Sequence, residues 1–169
     1  MNKAYGQNCP VAKSLDILGD RWTLLVVRDL LRGKTRFKDL ESSLRGIPTN
    51  ILADRLKLLE ANHIVHRSYY SEHPPRAEYQ LTPEGEELGS VIAAMALWGS
   101  RNLSQPQDRR FELVHAGCGT PVTQHWVCPS CGKEVPSTGV HTEHVQALYT
   151  MRSSAFSFRR LTGSASSRS

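Results

Sequence analysis

Residues 47–70, IPTNILADRLKLLEANHIVHRSYY, carry two hydrophobic periods in succession. From Pro48 to about Asn62, Ile51, Leu52, Leu56 and Leu59 recur at helical spacing and define one inward face. The opposite face presents Thr49, Asn50, Ala53, Asp54 and Lys57, short or adaptable side chains clustered toward the helix start. After Asn62 the period falls to two. Ile64, His66, Ser68 and Tyr70 alternate with Val65, Arg67 and Tyr69, the signature of a strand.

Upstream, three shorter helical patterns precede this stretch. Pro10 opens the first, with Val11, Leu15 and Leu18 at helical spacing and Gly19 as its stop. Asp20 is the expected N-cap of a second, from Arg21 to Arg32, whose many apolar residues make it the central helix. Thr35 is the expected cap of a short third helix carrying Phe37, Leu40 and Leu44, closed by the Gly46-Ile47-Pro48 turn. Downstream, Ser71 to Arg76 reads as a loop because two prolines cannot both serve a ladder, and Ala77 to Leu81 reads as the returning strand. Thr82-Pro83 then opens a long helix to about Leu103 through Leu88, Val91, Ile92, Met95 and Trp98. Three helices followed by two looped strands make a winged helix-turn-helix. The expected fold class is mainly α with a small β-wing (α+β), plus a small C-terminal β-hairpin resembling a zinc ribbon.

Composition is compatible with this. The chain has 169 residues, 39% hydrophobic and 22% charged, with 21 Lys plus Arg against 16 Asp plus Glu. That excludes wholesale disorder and a collagen-like fibre. No stretch approaches the roughly 20 apolar residues of a membrane span, and MNKAYGQNCP lacks the apolar region of a signal peptide, so the expectation is a cytoplasmic protein without a membrane partner. The net charge of +5 is unevenly placed: residues 20–57 hold nine basic and five acidic residues, a +4 segment overlying the second to fourth helices. A basic stripe of this kind is either an electrostatic footprint for nucleic acid or an ordinary solvated face.

Cys9-Pro10, Gly19-Asp20-Arg21-Trp22-Thr23, Arg36-Phe37, Leu40, Ile47 through Leu56, Pro75-Arg76, Glu78-Tyr79 and Leu81-Thr82-x-x-Gly85 occur in that order. Together they closely resemble the HxlR family of bacterial transcription regulators, relatives of the MarR group, over residues 5 to about 103. The resemblance implies a homodimer formed by terminal helices, bound to a palindromic double-stranded DNA operator. The surplus apolar face of the last helix points to a partner subunit independently, and two recognition helices would then stand about one DNA turn, roughly 34 Å, apart.

On that reading the helix starting near Pro48 enters the major groove. Asn50 can pair bidentately with adenine, Thr49 or Ala53 can touch a thymine methyl, and Asp54 can accept from cytosine or orient Arg55 or Lys57. Lys34, Arg36 and Lys38 are expected to hold phosphates. Arg76, after the stiff wing loop, is expected at phosphate or in the minor groove. Taken alone, the same helix would be an ordinary amphipathic core helix, and its place before a wing is what favours DNA. Trp22 and Trp98 read as core or interface residues, with an effector pocket as the alternative.

The four cysteines divide into one and three. Cys9 sits at the N-cap of the first helix, where the helix dipole favours thiolate. In the resembled family some members sense oxidants or electrophiles through a cysteine at this place, so Cys9 is a redox candidate, with a partly buried structural thiol as the alternative. His115-x-x-Cys118-Gly119 and Cys128-x-x-Cys131-Gly132 are two knuckles with nine residues between Cys118 and Cys128, as in a zinc ribbon. They predict one structural Zn2+ at His115, Cys118, Cys128 and Cys131, with Thr120 to Val127 as hairpin strands. The alternatives are a metal-free hairpin, a Cys128–Cys131 disulfide, or His125 as a ligand, with His141 and His144 spare. Longer members of the resembled family carry a similar tail.

The expected organisation is a DNA-binding and dimerisation domain over 1–104, an appendage over 105–136 and a tail over 137–169. Residues 151–169, with seven serines, four arginines and no acidic residue, read as disordered or as a nonspecific DNA-binding arm. The functional expectation is a dimeric regulator, a repressor modulated by a small-molecule effector or by thiol chemistry. The alternative is a zinc-containing protein-interaction module that uses the winged helix as scaffold. An enzyme is not expected, because the sequence contains no phosphate-binding glycine loop, nucleophile elbow or paired carboxylates.

Overall fold

The computed structural model describes residues 4–72, 75–103, 112–136 and 139–140. The expectations for residues 141–169, including His141, His144 and the serine-rich tail, lie outside the described residues. The chain forms two compact units, one reaching Thr123 and the other starting at Gln124.

In the first unit α1 (Pro10–Leu18), α2 (Thr23–Leu31), α3 (Phe37–Ser43) and α4 (Thr49–Ala61) precede the strands β1 (Val65–Glu72) and β2 (Pro75–Leu81), and α5 (Pro83–Asn102) follows. This is a winged helix-turn-helix. Its core joins Val26, Val27 and Leu30 of α2, Leu40 and Leu44 at the end of α3, Ile47, Leu52, Leu56 and Leu59 around α4, and Val65 and Tyr79 of the strands. Burying each such aliphatic side chain stabilises the fold by about 1.5–3 kcal/mol.

Three local expectations are corrected. Asp20 does not cap α2: the helix begins at Thr23, and its N-cap is Trp22 in a left-handed conformation with φ 81°. The Asp20 carboxylate is instead ion-paired with Arg55 of α4, each side chain about one-fifth exposed. A charged partner sheltered from water competes well against a solvated cap. The cap of α3 is Arg36 rather than Thr35, because the Thr35 carbonyl accepts the Tyr79 N–H at 2.8 Å and binds the helix entrance to β2. The ladder also runs further than a loop over 71–76 allows. It pairs Val65 with Leu81 and ends on Ser71 with Arg76 and Glu72 with Pro75, with an irregularity between Tyr69 and Ser71. Both strands of a two-stranded ribbon are edges, so a proline can begin one without costing a ladder bond.

Asp29 is the fully buried carboxylate of α2. Burial pushes its pKa up, but hydrogen bonds from Arg28 and the Ser43 hydroxyl, with the charges of Arg28 and Arg32, more than offset that and hold it below the usual value. Arg28 Nε donates to it at 2.8 Å.

Helix α5 has two apolar faces. Leu88 and Ile92 pack on the core, whereas Val91, Met95 and Trp98 point to solvent, Trp98 at 55% exposure. Its start is fastened to the residues just before β1. The Thr82 hydroxyl accepts the Gly85 N–H at 3.1 Å and donates to the His63 carbonyl at 2.7 Å.

In the second unit β3 (Trp126–Val127) pairs antiparallel with β4 (Glu134–Val135). The strands therefore flank the Cys128 knuckle and do not fill Thr120 to Val127, where the first unit has an isolated bridge between Val114 and Pro121. The reason lies in the knuckle: the Cys128 N–H donates to the Lys133 carbonyl at 3.0 Å and starts a ribbon on either side of the turn.

Candidate nucleic-acid interface

The turn before α4 uses Gly46 at φ 85° to reverse the chain and leaves Ile47 buried as a pin. With Leu52, Leu56 and Leu59 in the core, α4 exposes Asn50, Asp54 and Lys57, spaced four and three residues apart on one stripe, with Ala53 half-buried at its margin. Thr49 is exposed too, but its hydroxyl donates to the Glu41 carboxylate of α3 at 2.6 Å. Its oxygen is thus engaged in fixing the start of α4 against α3, and what remains free for a base edge is the methyl. Arg55 turns from this stripe toward Asp20, so Asp54 is not what orients it.

The entrance of α3 and the two wing strands enclose a cleft of about 500 Å3. Arg36, Lys38 and Arg76, expected separately as phosphate contacts, line it together. Lys34, half-buried, lies before them in the α2–α3 connection. Arg36 Nε donates to Glu78 at 2.9 Å, and a backbone bridge joins the same two residues, so this arginine is held in place by β2.

Arg67 is the cleft residue that the sequence reading missed. It pairs across the ladder with Tyr79, and its guanidinium lies 4.6 Å from the Tyr69 ring centre and 5.9 Å from that of Tyr79. The available signal was the period of two: Val65, Arg67 and Tyr69 share a strand face that leaves the core at Val65 and becomes exposed at Arg67. Burial pushes the Tyr79 phenol above its usual pKa while the charge of Arg67 pulls it down. Stacking on two rings fixes the guanidinium without neutralising it.

The cysteines are all free thiols. Cys9 is half-buried at the N-cap of α1 and makes no side-chain capping bond, while its carbonyl accepts the Lys13 N–H at 3.0 Å. In the first unit His115 Nδ1 lies 3.2 Å from Cys118 Sγ, which also contacts the Thr120 hydroxyl at 3.3 Å. Hydrogen bonds from Thr120, His115 and the Thr120 backbone hold the Cys118 thiol below its usual pKa. In the second unit the Cys131 and Ser130 N–H groups and the Cys131 side chain do the same for Cys128. His125 is ion-paired with Glu134 across the β3–β4 ribbon. Among the described residues no three His, Cys, Asp or Glu side chains gather as a ready metal centre, and no helix is long and apolar enough to cross a membrane.

Comparison with known proteins adds four findings. A family model described as an HxlR-like helix-turn-helix matches residues 17–107. The uncharacterized HTH-type transcriptional regulator Rv3095 of Mycobacterium tuberculosis is 35% identical over 133 residues, 79% of this chain and 84% of that one. Among solved structures, the transcription factor PA1607 is similar at a TM-score of 0.72 and 31% identity, covering 82% of this chain and 96% of its own. The redox regulator HypR in its reduced form is similar at 0.53 and 35% identity, covering 56% of this chain and 93% of its own.

Proposed function

The chain belongs to the HxlR-like helix-turn-helix family of transcriptional regulators, and from that premise we propose that it binds a palindromic operator as a homodimer and represses by occupying it. The observation that carries this reading is the exposed Asn50–Asp54–Lys57 stripe of α4 together with a cleft that collects Arg36, Lys38, Arg67 and Arg76 in the same unit. The stripe has the size and polarity of a major-groove reader, and the cleft supplies cations that would hold the DNA backbone. Such a protein acts on the chromosome in the cytoplasm and needs no catalytic centre.

The two sets of residues differ in what they do to binding. Asn50→Ala relaxes base preference at one position of each half-site and weakens the best sequence by about 1–3 kcal/mol. Lys38→Ala or Arg67→Ala weakens all sequences alike and lowers the slope of log affinity against log salt by about one unit. Selection from random DNA, followed by salt titration of the selected duplex, measures both. A selection that returns no palindrome overturns the operator proposal and favours a scaffold role for the winged helix.

For the signal, we propose thiol chemistry at Cys9, supported by its place at a helix N-terminus and by the likeness to a redox regulator. Alkylation of Cys9 shifts operator affinity in the wild type and leaves Cys9→Ser unaffected. Unchanged affinity after complete modification leaves a small-molecule effector as the signal.

A further inference from the structure

The winged helix has a further cavity that the DNA-binding reading leaves without a role. It encloses about 340 Å3 and is lined by Arg21, Trp22, Gly46, Pro48, Ile51 and Arg55, so it shares no residue with the Arg36–Arg76 cleft. Small-molecule sites range over roughly 300–1,000 Å3, and a cavity at the lower end suits a ligand of one ring or a short branched chain. Its walls are the entrance of α2, the turn before α4 and one flank of α4.

Two wall residues are held in states that local preference disfavours. Trp22 has φ 81°, a left-handed backbone that a bulky side chain rarely adopts. Such outliers concentrate at ligand sites, where the surrounding structure holds them in place. The Trp22 indole is half-buried, and the guanidinium of the exposed Arg21 lies 5.2 Å from its ring centre. Arg55 has Nη1 committed to Asp20, while its Nε is buried and has no hydrogen-bond partner among the described residues. A buried guanidinium N–H without an acceptor is costly, and an incoming acceptor relieves that cost.

Charge and shape define the acceptor. Arg21 and Arg55 in the wall, against Asp20 beside Arg55, leave one positive charge in excess, which matches a monoanion. A carboxylate takes two guanidinium N–H groups in parallel, a geometry that the point charge of a lysine does not offer. Trp22, Pro48 and Ile51 supply apolar surface for the body of the ligand.

We propose that this cavity binds a small apolar monocarboxylate, held by Arg55 and Arg21 with its body against Trp22 and Ile51, and that its binding lowers operator affinity. The regulatory half rests on the DNA-binding reading, and the binding half does not. Ile51 and Arg55 each follow a member of the outward stripe, Asn50 and Asp54, along the same helix. A carboxylate that competes with Asp20 for Arg55 releases the tie between α4 and the entrance of α2, so the free and occupied states differ in how firmly the reading helix is seated. Linkage then requires the operator to weaken ligand binding by the same factor as the ligand weakens operator binding.

The test uses the full chain with benzoate as probe. Calorimetry without DNA is expected to show saturable binding of one benzoate per chain and no saturable binding of the uncharged benzamide. Arg55→Lys retains a cation for Asp20 but loses the Nε donor and the planar fork, and is expected to weaken benzoate by about 10–100-fold. The exposed Arg21→Gln is expected to weaken it in the same direction, which keeps the site testable if the Arg55 variant unfolds by circular dichroism. Saturating benzoate is expected to lower operator affinity of the wild type by about 5–150-fold and to leave Arg55→Lys largely unresponsive. Absence of saturable benzoate binding, equal binding of benzamide, or full benzoate affinity in folded Arg55→Lys or in Arg21→Gln overturns the site. Binding of inorganic phosphate in place of benzoate also overturns it and assigns the cavity to the DNA backbone. Benzoate binding that leaves operator affinity unchanged overturns the regulatory half. A chain that binds benzoate but selects no operator sequence upholds the site while the DNA-binding reading fails.

Discussion

Met95→Glu combined with Trp98→Glu lowers operator affinity by about 10²–10⁴-fold without unfolding the winged helix. Both side chains are exposed, at 54% and 55%, so charging them removes nothing from the core. They continue the outward stripe of α5 from Val91, and further apolar residues, Val11 and Leu15 of α1, are exposed near the other end of the module's chain. In the proposed dimer these residues cover one another about a two-fold axis, and two carboxylates per subunit would be desolvated against their own copies. A monomer binds one half-site at a time and forfeits the effective concentration that links the two, which sets the size of the loss. Sedimentation together with titration of a palindromic and a half-site duplex checks it: the variant should bind the two equally. A wild-type chain that sediments as a monomer, or a double variant with undiminished affinity for the palindrome, removes the dimer from the reading.

Gly85→Ala destabilises the protein by about 3 kcal/mol or more, equivalent to a fall in Tm of roughly 12–24 °C for a domain of this size. Helix propensity alone predicts the opposite sign, since alanine in a helix interior is favoured over glycine by about 1 kcal/mol. Sterics decide it. A Cβ on Gly85 would stand 2.2 Å from the Ile64 carbonyl oxygen and 3.1 Å from its carbon, and neither backbone atom can turn aside as a flexible side chain would. The Ile64 oxygen also accepts the Thr82 N–H at 3.0 Å, so backing α5 away from β1 breaks the joint that Thr82 makes with His63 and Gly85. Thermal unfolding monitored at 222 nm separates the two signs. A variant as stable as the wild type would mean that α5 can shift at little cost.

The contrast between these residues and others indicates where local reasoning works. Trp98 and Met95 were legible as surplus apolar residues because a helical period counts how many side chains one domain can cover. Asp20 was misread as a cap because capping propensity is a local quantity, and the competing Arg55 is 35 residues away. Nor did local reasoning show that the Thr49 hydroxyl is taken by Glu41, eight residues before it across a turn, which leaves its methyl for the expected base contact. Arg67 was visible as one member of an alternating strand, but not as a neighbour of Arg36, Lys38 and Arg76.

By itself the sequence determined the element order of the winged helix and the inward and outward faces of α4 and α5. Both follow from spacing of 3.6 or of 2 residues along one chain, which covalent geometry converts directly into faces. Tertiary structure alone decided that α2 starts at a left-handed Trp22, that the wing ladder reaches Pro75, and that one cleft collects four cations from α3 and both strands. Those outcomes depend on which distant groups meet, and a side chain with two potential partners goes to the one whose contact is sheltered from water.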